Sequence, residues 1–265
     1  FSLLVLVLAR PQSTDNWENV TTEGIDIVLA IDISGSMLAE DFKPNRLEAA
    51  KDVAIEFISG RENDRMGLVI YSGESFTQCP LTTDHAVLIN LFKDVKNGMI
   101  EDGTAIGLGL ANAINRLKNS LAKSRVVILL TDGVNNQGEI APITAAEIAQ
   151  TLGIRVYTVG VGTRGTAPYP AKDFFGNTVY QNVEVEIDEK TLKDIADLTD
   201  GQYFRATNNK SLANIYKEID KLEKSKIEVK EYSKKQEEYL IWALYAAAIL
   251  FFEIFIRNTI LKYLP

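Results

Sequence analysis

Ile27-Val-Leu-Ala-Ile-Asp32-Ile-Ser34-Gly-Ser36-Met37 is an apolar run that ends in a carboxylate and two hydroxyls at every second position. Residues two apart on an extended chain face the same way, so Asp32, Ser34 and Ser36 can aim three oxygens at one point as the strand leaves a sheet. Hard oxygen ligands in near-octahedral array suit magnesium. The stretch reads as half of a divalent-cation site.

The other half is expected from distant loops at the same sheet edge. Thr104 lies in Glu101-Asp-Gly103-Thr104-Ala-Ile-Gly107, a glycine-bearing loop ahead of an apolar-periodic helix. Asp132 follows Val126-Val-Ile-Leu-Leu-Thr131, a short continuous apolar run of the kind that a strand buried on both faces shows. Each piece also has a plainer reading. Asp32 could end a strand, Thr104 could cap the next helix, and Asp132-Gly133 could form an ordinary turn. Five oxygen-bearing residues at three loop positions on one edge favour a shared metal site.

Strand-like and helix-like stretches alternate through the middle of the chain, which predicts an α/β domain with a mostly parallel sheet. Strands are expected at 25–33, 66–71, 125–130, 155–161 and 202–206, with a short antiparallel edge near 76–79. Helices are expected at 46–59, 84–95, 105–119, 144–152, 189–198 and 211–224. Ligands of such sheets collect outside the carboxyl ends of the strands, where Asp32 and Asp132 both fall. Between Gly162 and Ile187 the pattern lapses, and a small hairpin insertion over 163–187 with Gly176-Asn177 at its turn is the natural reading. It could contact a partner, or be a surface loop.

Composition narrows the chemistry. The 265 residues carry a net charge of −8, which argues against nucleic acid as a partner because no broad basic face meets phosphate. One cysteine, Cys79, rules out an intramolecular disulfide, and one histidine, His85, cannot furnish a zinc cage or a triad. Gly160-Val-Gly162-Thr-Arg-Gly165 matches a dinucleotide fingerprint, yet Pro168 and Pro170 break the helix that should start there.

The ends have another character. Phe1 to Ala9 is apolar before Arg10-Pro11, so residues 1–12 read as the end of a truncated membrane or signal segment. From Leu240 to Ile256 the sole ionisable residue is Glu253, and residues 239–264 read as a transmembrane helix and short tail, with Tyr239, Trp242 and Tyr263 as interfacial anchors. The lysines and glutamates of 226–238 read as a charged connector.

Asp-x-Ser-x-Ser, the Gly-Thr loop and the strand ending Thr-Asp-Gly occur in the order of the von Willebrand factor A domain and its metal-ion-dependent adhesion site, and the chain resembles that family over roughly 24–225. The resemblance implies a Rossmann-like domain with helices on both faces. It implies that Ser34, Ser36 and Thr104 touch the metal directly while Asp32 and Asp132 act largely through water. A protein ligand would then supply an Asp or Glu as the last ligand of Mg2+, with Mn2+ or Ca2+ as alternatives. It also implies that ligand engagement shifts the final helix of the domain, whose buried stripe is Leu212, Ile215, Ile219 and Leu222.

The flanks, Leu8-Ala-Arg10-Pro11-Gln12 and Phe252-Glu253 through Pro265, look like those of the membrane-anchored bacterial Bat aerotolerance group, BatA-like proteins in particular. That similarity implies a MoxR-type AAA+ ATPase and other Bat-type proteins as partners, and a role in stress tolerance or envelope complex assembly. A positive-inside count over Lys221 to Lys235 puts the domain in the cytoplasm, whereas the family picture puts it on the periplasmic side of the cytoplasmic membrane, which is the expectation kept here. The chain is expected to be no enzyme. The rival reading is a magnesium-dependent, phosphatase-like hydrolase, and a third is a structural membrane protein with an idle metal site.

Overall fold

The computed structural model describes residues 12–13, 24–61, 63–172, 175, 177–228, 236–237 and 239–259. Compactness divides the chain into Thr22–Lys226 and a second unit of Phe1–Thr21 with Ile227–Pro265. In the second unit β1 (Gln12–Ser13) pairs antiparallel with β10 (Gln236–Glu237). The larger unit alternates strand and helix: β2 (Asp26–Asp32), α1 (Arg46–Ser59), β3 (Arg65–Tyr71), β4 (Ser75–Thr82), α2 (His85–Lys93) and α3 (Ile106–Leu117) come first. Then follow β5 (Arg125–Thr131), α4 (Pro142–Thr151), β6 (Arg155–Val161), β7 (Thr166–Lys172), β8 (Thr178–Glu184), α5 (Glu189–Leu198), β9 (Tyr203–Ala206) and α6 (Asn209–Glu228).

The main sheet runs β4-β3-β2-β5-β6-β9, parallel throughout except for the antiparallel edge strand β4. Strand order reverses at β2, because the chain adds β3 on one side and β5 on the other. That reversal opens a crevice between the carboxyl ends of β2 and β5. Period-two alternation distributes β2 between two cores: Ile27, Leu29 and Ile31 face α1, α2 and α6, while Val28 and Ala30 face α3, α4 and α5. A strand covered on both faces has no polar side to show, which is why it reads as a continuous apolar run.

Local chemistry sets the helix starts. Asn45, Asp84 and Asp188 each accept a backbone N–H of the first turn they precede, and Pro142 opens α4. On α3, Gly107 admits close approach of the segment before α4: a Cβ there would lie 1.9 Å from the Ile140 carbonyl oxygen. Gly107→Ala should therefore destabilise the domain by about 3 kcal/mol, at the top of the range for overpacking, because backbone and not a flexible side chain must yield. Urea denaturation checks this, and a loss under about 1 kcal/mol would show that α3 slides freely.

Near its C-terminal end α6 is held by a buried carboxylate. Glu223 accepts bonds from Tyr157 Oη (2.6 Å), Arg155 Nη1 (2.6 Å) and Ser124 Oγ (2.8 Å). At its other end, Asn209 exchanges two bonds with the backbone of Lys43, accepting from its N–H at 3.1 Å and donating to its carbonyl at 2.7 Å. Leu212, Ile215 and Ile219 are buried between, with Leu222 packed beside them.

The expectation at the carboxyl terminus needs correction. A helix, α7 (Tyr239–Thr259), does form there, but among the described residues no helix is long and apolar enough to cross a membrane. In sequence, the carboxylate of Glu253 interrupts the apolar run that starts at Leu240, short of the roughly 20 uninterrupted apolar residues that a bilayer takes. The expected membrane or signal segment at 1–12 lies outside the described residues up to residue 11, as do most of the charged connector and Gly176 of the hairpin turn.

Candidate metal centre

Asp32 is the last residue of β2 and fully buried. Its two carboxylate oxygens are both engaged: Oδ1 accepts the Ser34 N–H at 2.9 Å and Oδ2 accepts the Thr131 hydroxyl at 2.7 Å. The first of these bonds turns the chain sharply after Ile33. A short 3-10 turn, Gly35–Leu38, follows and carries Ser36 outward. Ser34 Oγ and Ser36 Oγ come within 3.0 Å of each other, and Ser36 Oγ donates to Asp132 Oδ1 at 2.7 Å across 96 positions of sequence.

Thr104 reaches the same place from the loop before α3. It is not the cap of that helix, a position taken by Ala105. Its N–H donates to Asn136 Oδ1 at 2.9 Å and its carbonyl accepts from Asn136 N at 3.0 Å, so the loop of Thr104 and the loop after Asp132 are fastened together. Ser36, Thr104 and Asp132 line a common cavity of about 450 Å³. Asp32 and Ser34 are not among its lining residues but join it by contact, Ser34 Oγ lying 3.0 Å from Ser36 Oγ and Asp32 bonding Ser34 and Thr131.

Electrostatics bear on how these carboxyls behave. Burial pushes the Asp32 carboxyl up to about 7, with the neighbouring Asp132 charge adding to the rise and bonds from Ser34 and Thr131 opposing it. Asp132 is also raised by burial, although the guanidinium of Arg46 draws it back. The Arg46 contact is direct: Nη1 donates to Asp132 Oδ2 at 2.7 Å, while Nε and Nη2 fork onto Asp41 at 2.7 Å each. Asp41 in turn accepts the N–H of Thr163, at the base of the hairpin, at 2.8 Å.

Sequence reading missed Arg46, Asp41, Asn136 and Asp102, whose Oδ1 accepts the Gly35 N–H at 2.8 Å. One signal for Arg46 was available. A cation at the first position of a helix opposes the macrodipole and implies a carboxylate close by. The hairpin was foreseen as a segment but not as a wall of the site: Ala167, Tyr169 and Val183 to Glu186 line the cavity. The dinucleotide fingerprint carries no helix, since β6 ends at Val161 and β7 starts at Thr166.

Three of the five side chains can be set against a simple geometric expectation. Two ligands at adjacent corners of an octahedron with about 2.1 Å bonds lie about 3 Å apart. The Ser34 to Ser36 spacing of 3.0 Å and the 2.7 Å from Ser36 to Asp132 are of that size.

Known proteins agree with this architecture. The von Willebrand factor type A domain family matches residues 26–218. An aerotolerance-related membrane protein from Bacteroides fragilis superposes with a TM-score of 0.64 at 31% identity, over 75% of this chain and 98% of that one. BatB from Bacteroides thetaiotaomicron gives 0.65 at 32% identity, over 76% and 100%. A protein of Borreliella burgdorferi is 29% identical over 97% of this chain and 77% of its own length. With the strand order and the crevice loops, these matches place the chain in the von Willebrand factor type A domain family, among relatives that include the Bat-type aerotolerance proteins.

Proposed function

We propose that the chain is a magnesium-dependent protein-binding module in which Asp32, Ser34, Ser36, Thr104 and Asp132 hold the ion. The observation that carries this reading is the close run of oxygens from Ser34 through Ser36 to Asp132, brought together across 96 positions of sequence, with Ser36 and Asp132 opening on a cavity that Thr104 also lines. Three neutral hydroxyls leave a bound cation electron-poor, and Arg46 withdraws further charge from Asp132. An Asp or Glu of a protein ligand then completes the shell.

One feature supports binding over hydrolysis. A metal-dependent hydrolase needs a base or nucleophile poised at the ion. The single histidine, His85, contacts the Asp64 carbonyl ahead of β3, at the amino edge of the sheet and opposite to Asp32. No imidazole serves the crevice. Similarity to Bat-type proteins supports a place beside a MoxR-type AAA+ ATPase in aerotolerance or envelope complex assembly. The Bacteroides fragilis relative is named as a membrane protein, which supports membrane association; the bacterial cytoplasmic membrane, with the domain on its periplasmic side, follows from the likeness of the flanks to the Bat group.

Calorimetric titration tests the site. Magnesium or manganese should bind with one ion per chain, and Thr104→Ala should weaken binding at least tenfold with the fold intact by circular dichroism. Absence of binding to the parent chain would leave an idle site. Capture of protein partners from membranes should likewise require magnesium.

A further inference from the structure

Beside the crevice lies the outer edge of the hairpin. β8 has β7 as its sole strand partner among the described residues, and all seven of its residues are exposed. An edge in this state presents main-chain donors and acceptors to another extended chain. Apolar surface flanks it: Val183 is 47% exposed, and Val134, from the loop after Asp132, is 40% exposed in the same cavity. Glu184 and Glu186 contribute two carboxylates to the lining of the same cavity. The one cation among the described lining residues, Arg46, is already engaged by Asp132 and Asp41.

We propose that β8 is a docking edge for an extended, basic segment of a partner protein, which adds to the hairpin as a third strand. Its lysines or arginines meet Glu184 and Glu186, and its apolar side chains cover Val183 and Val134. Main-chain pairing supplies the register and alternate side chains the selectivity. The proposal extends the metal reading in one respect, that the same segment presents its carboxylate to the ion.

Three fluorescent peptides test it against the full chain, in magnesium and in EDTA. They are Lys-Val-Lys-Val-Asp-Val-Lys-Val, the same peptide with glutamate for each lysine, and the lysine peptide N-methylated at alternate residues. In magnesium the lysine peptide should bind at least tenfold tighter than either of the others. The double variant Glu184→Lys, Glu186→Lys should reverse the charge preference. Equal binding of the lysine and glutamate peptides, indifference to N-methylation, or no binding by any of the three overturns the edge assignment. Methylation-sensitive binding that is undiminished in EDTA leaves the edge standing and retires the link to the metal. Binding that needs magnesium but ignores methylation and charge does the opposite.

Discussion

Arg46→Ala is expected to cost the domain about 3–5 kcal/mol in urea denaturation at neutral pH in EDTA, the range for removing one partner of a buried ion pair. Arg46 is 3% exposed and donates three bonds of 2.7 Å to two carboxylates. Without it, Asp41 loses the fork that holds it and Asp132 loses the charge that opposes its rise on burial, in a crevice that also holds Asp32. A typical domain has about 5–15 kcal/mol to lose, so the effect is a large share of the total. Arg46→Lys should recover little of it, because one ammonium cannot fork onto Asp41 and reach Asp132 together. Magnesium should restore more stability to Arg46→Ala than to the parent chain, since the ion brings back positive charge beside Asp132. A loss below about 1 kcal/mol would mean that water already serves these carboxylates.

Raising the pH from about 4 to 8 in EDTA should weaken the fold, and saturating magnesium should reverse the loss most at the upper end. Asp32 holds its proton more tightly when folded, near 7, than in the unfolded chain, near 3.8. Its stabilising contribution is therefore complete below the unfolded value and disappears as pH rises through the folded one. Asp132 is raised in the same sense. Burial pushes Asp41 up, but its bonds from Arg46 and Thr163 outweigh that and leave it lowered, so it works oppositely, contributing above the ordinary carboxylate range and fading below it. The magnesium effect should follow ionisation of Asp32, reaching about 3 kcal/mol when the ion is near a hundredfold over its dissociation constant. Asp32→Asn should flatten the alkaline decline and abolish the magnesium effect together. A parent chain equally stable at both ends of that range, with magnesium inert, would show that burial does not govern Asp32.

The parts of the fold that were legible in sequence share one property: their signal is local. The apolar runs of β2 and β5, the apolar periodicity of α1 and the glycine ahead of Thr104 each announce themselves within a few residues. So did the five oxygen-bearing residues, because loops at the carboxyl edge of a parallel sheet have few places to go. What escaped depends on packing between distant segments. Arg46 meets Asp132 across 86 positions, and nothing near either residue names the other. The hairpin could be placed by its prolines and its lapse in pattern. That it walls the crevice depends on contacts such as Tyr180 Oη to Glu40 and Glu40 N to the Pro168 carbonyl. At the carboxyl terminus, an apolar composition was read as a membrane span that the described residues do not provide.

Asn209 and Glu223 give α6 two unequal anchorages, one on the exposed loop that follows Ser36 and one sunk among the amino ends of β5 and β6. A rod fixed so firmly at one place cannot travel along its own axis without breaking three bonds at once. Displacing the Lys43 backbone therefore breaks the two bonds at Asn209 while the three at Glu223 can stay whole.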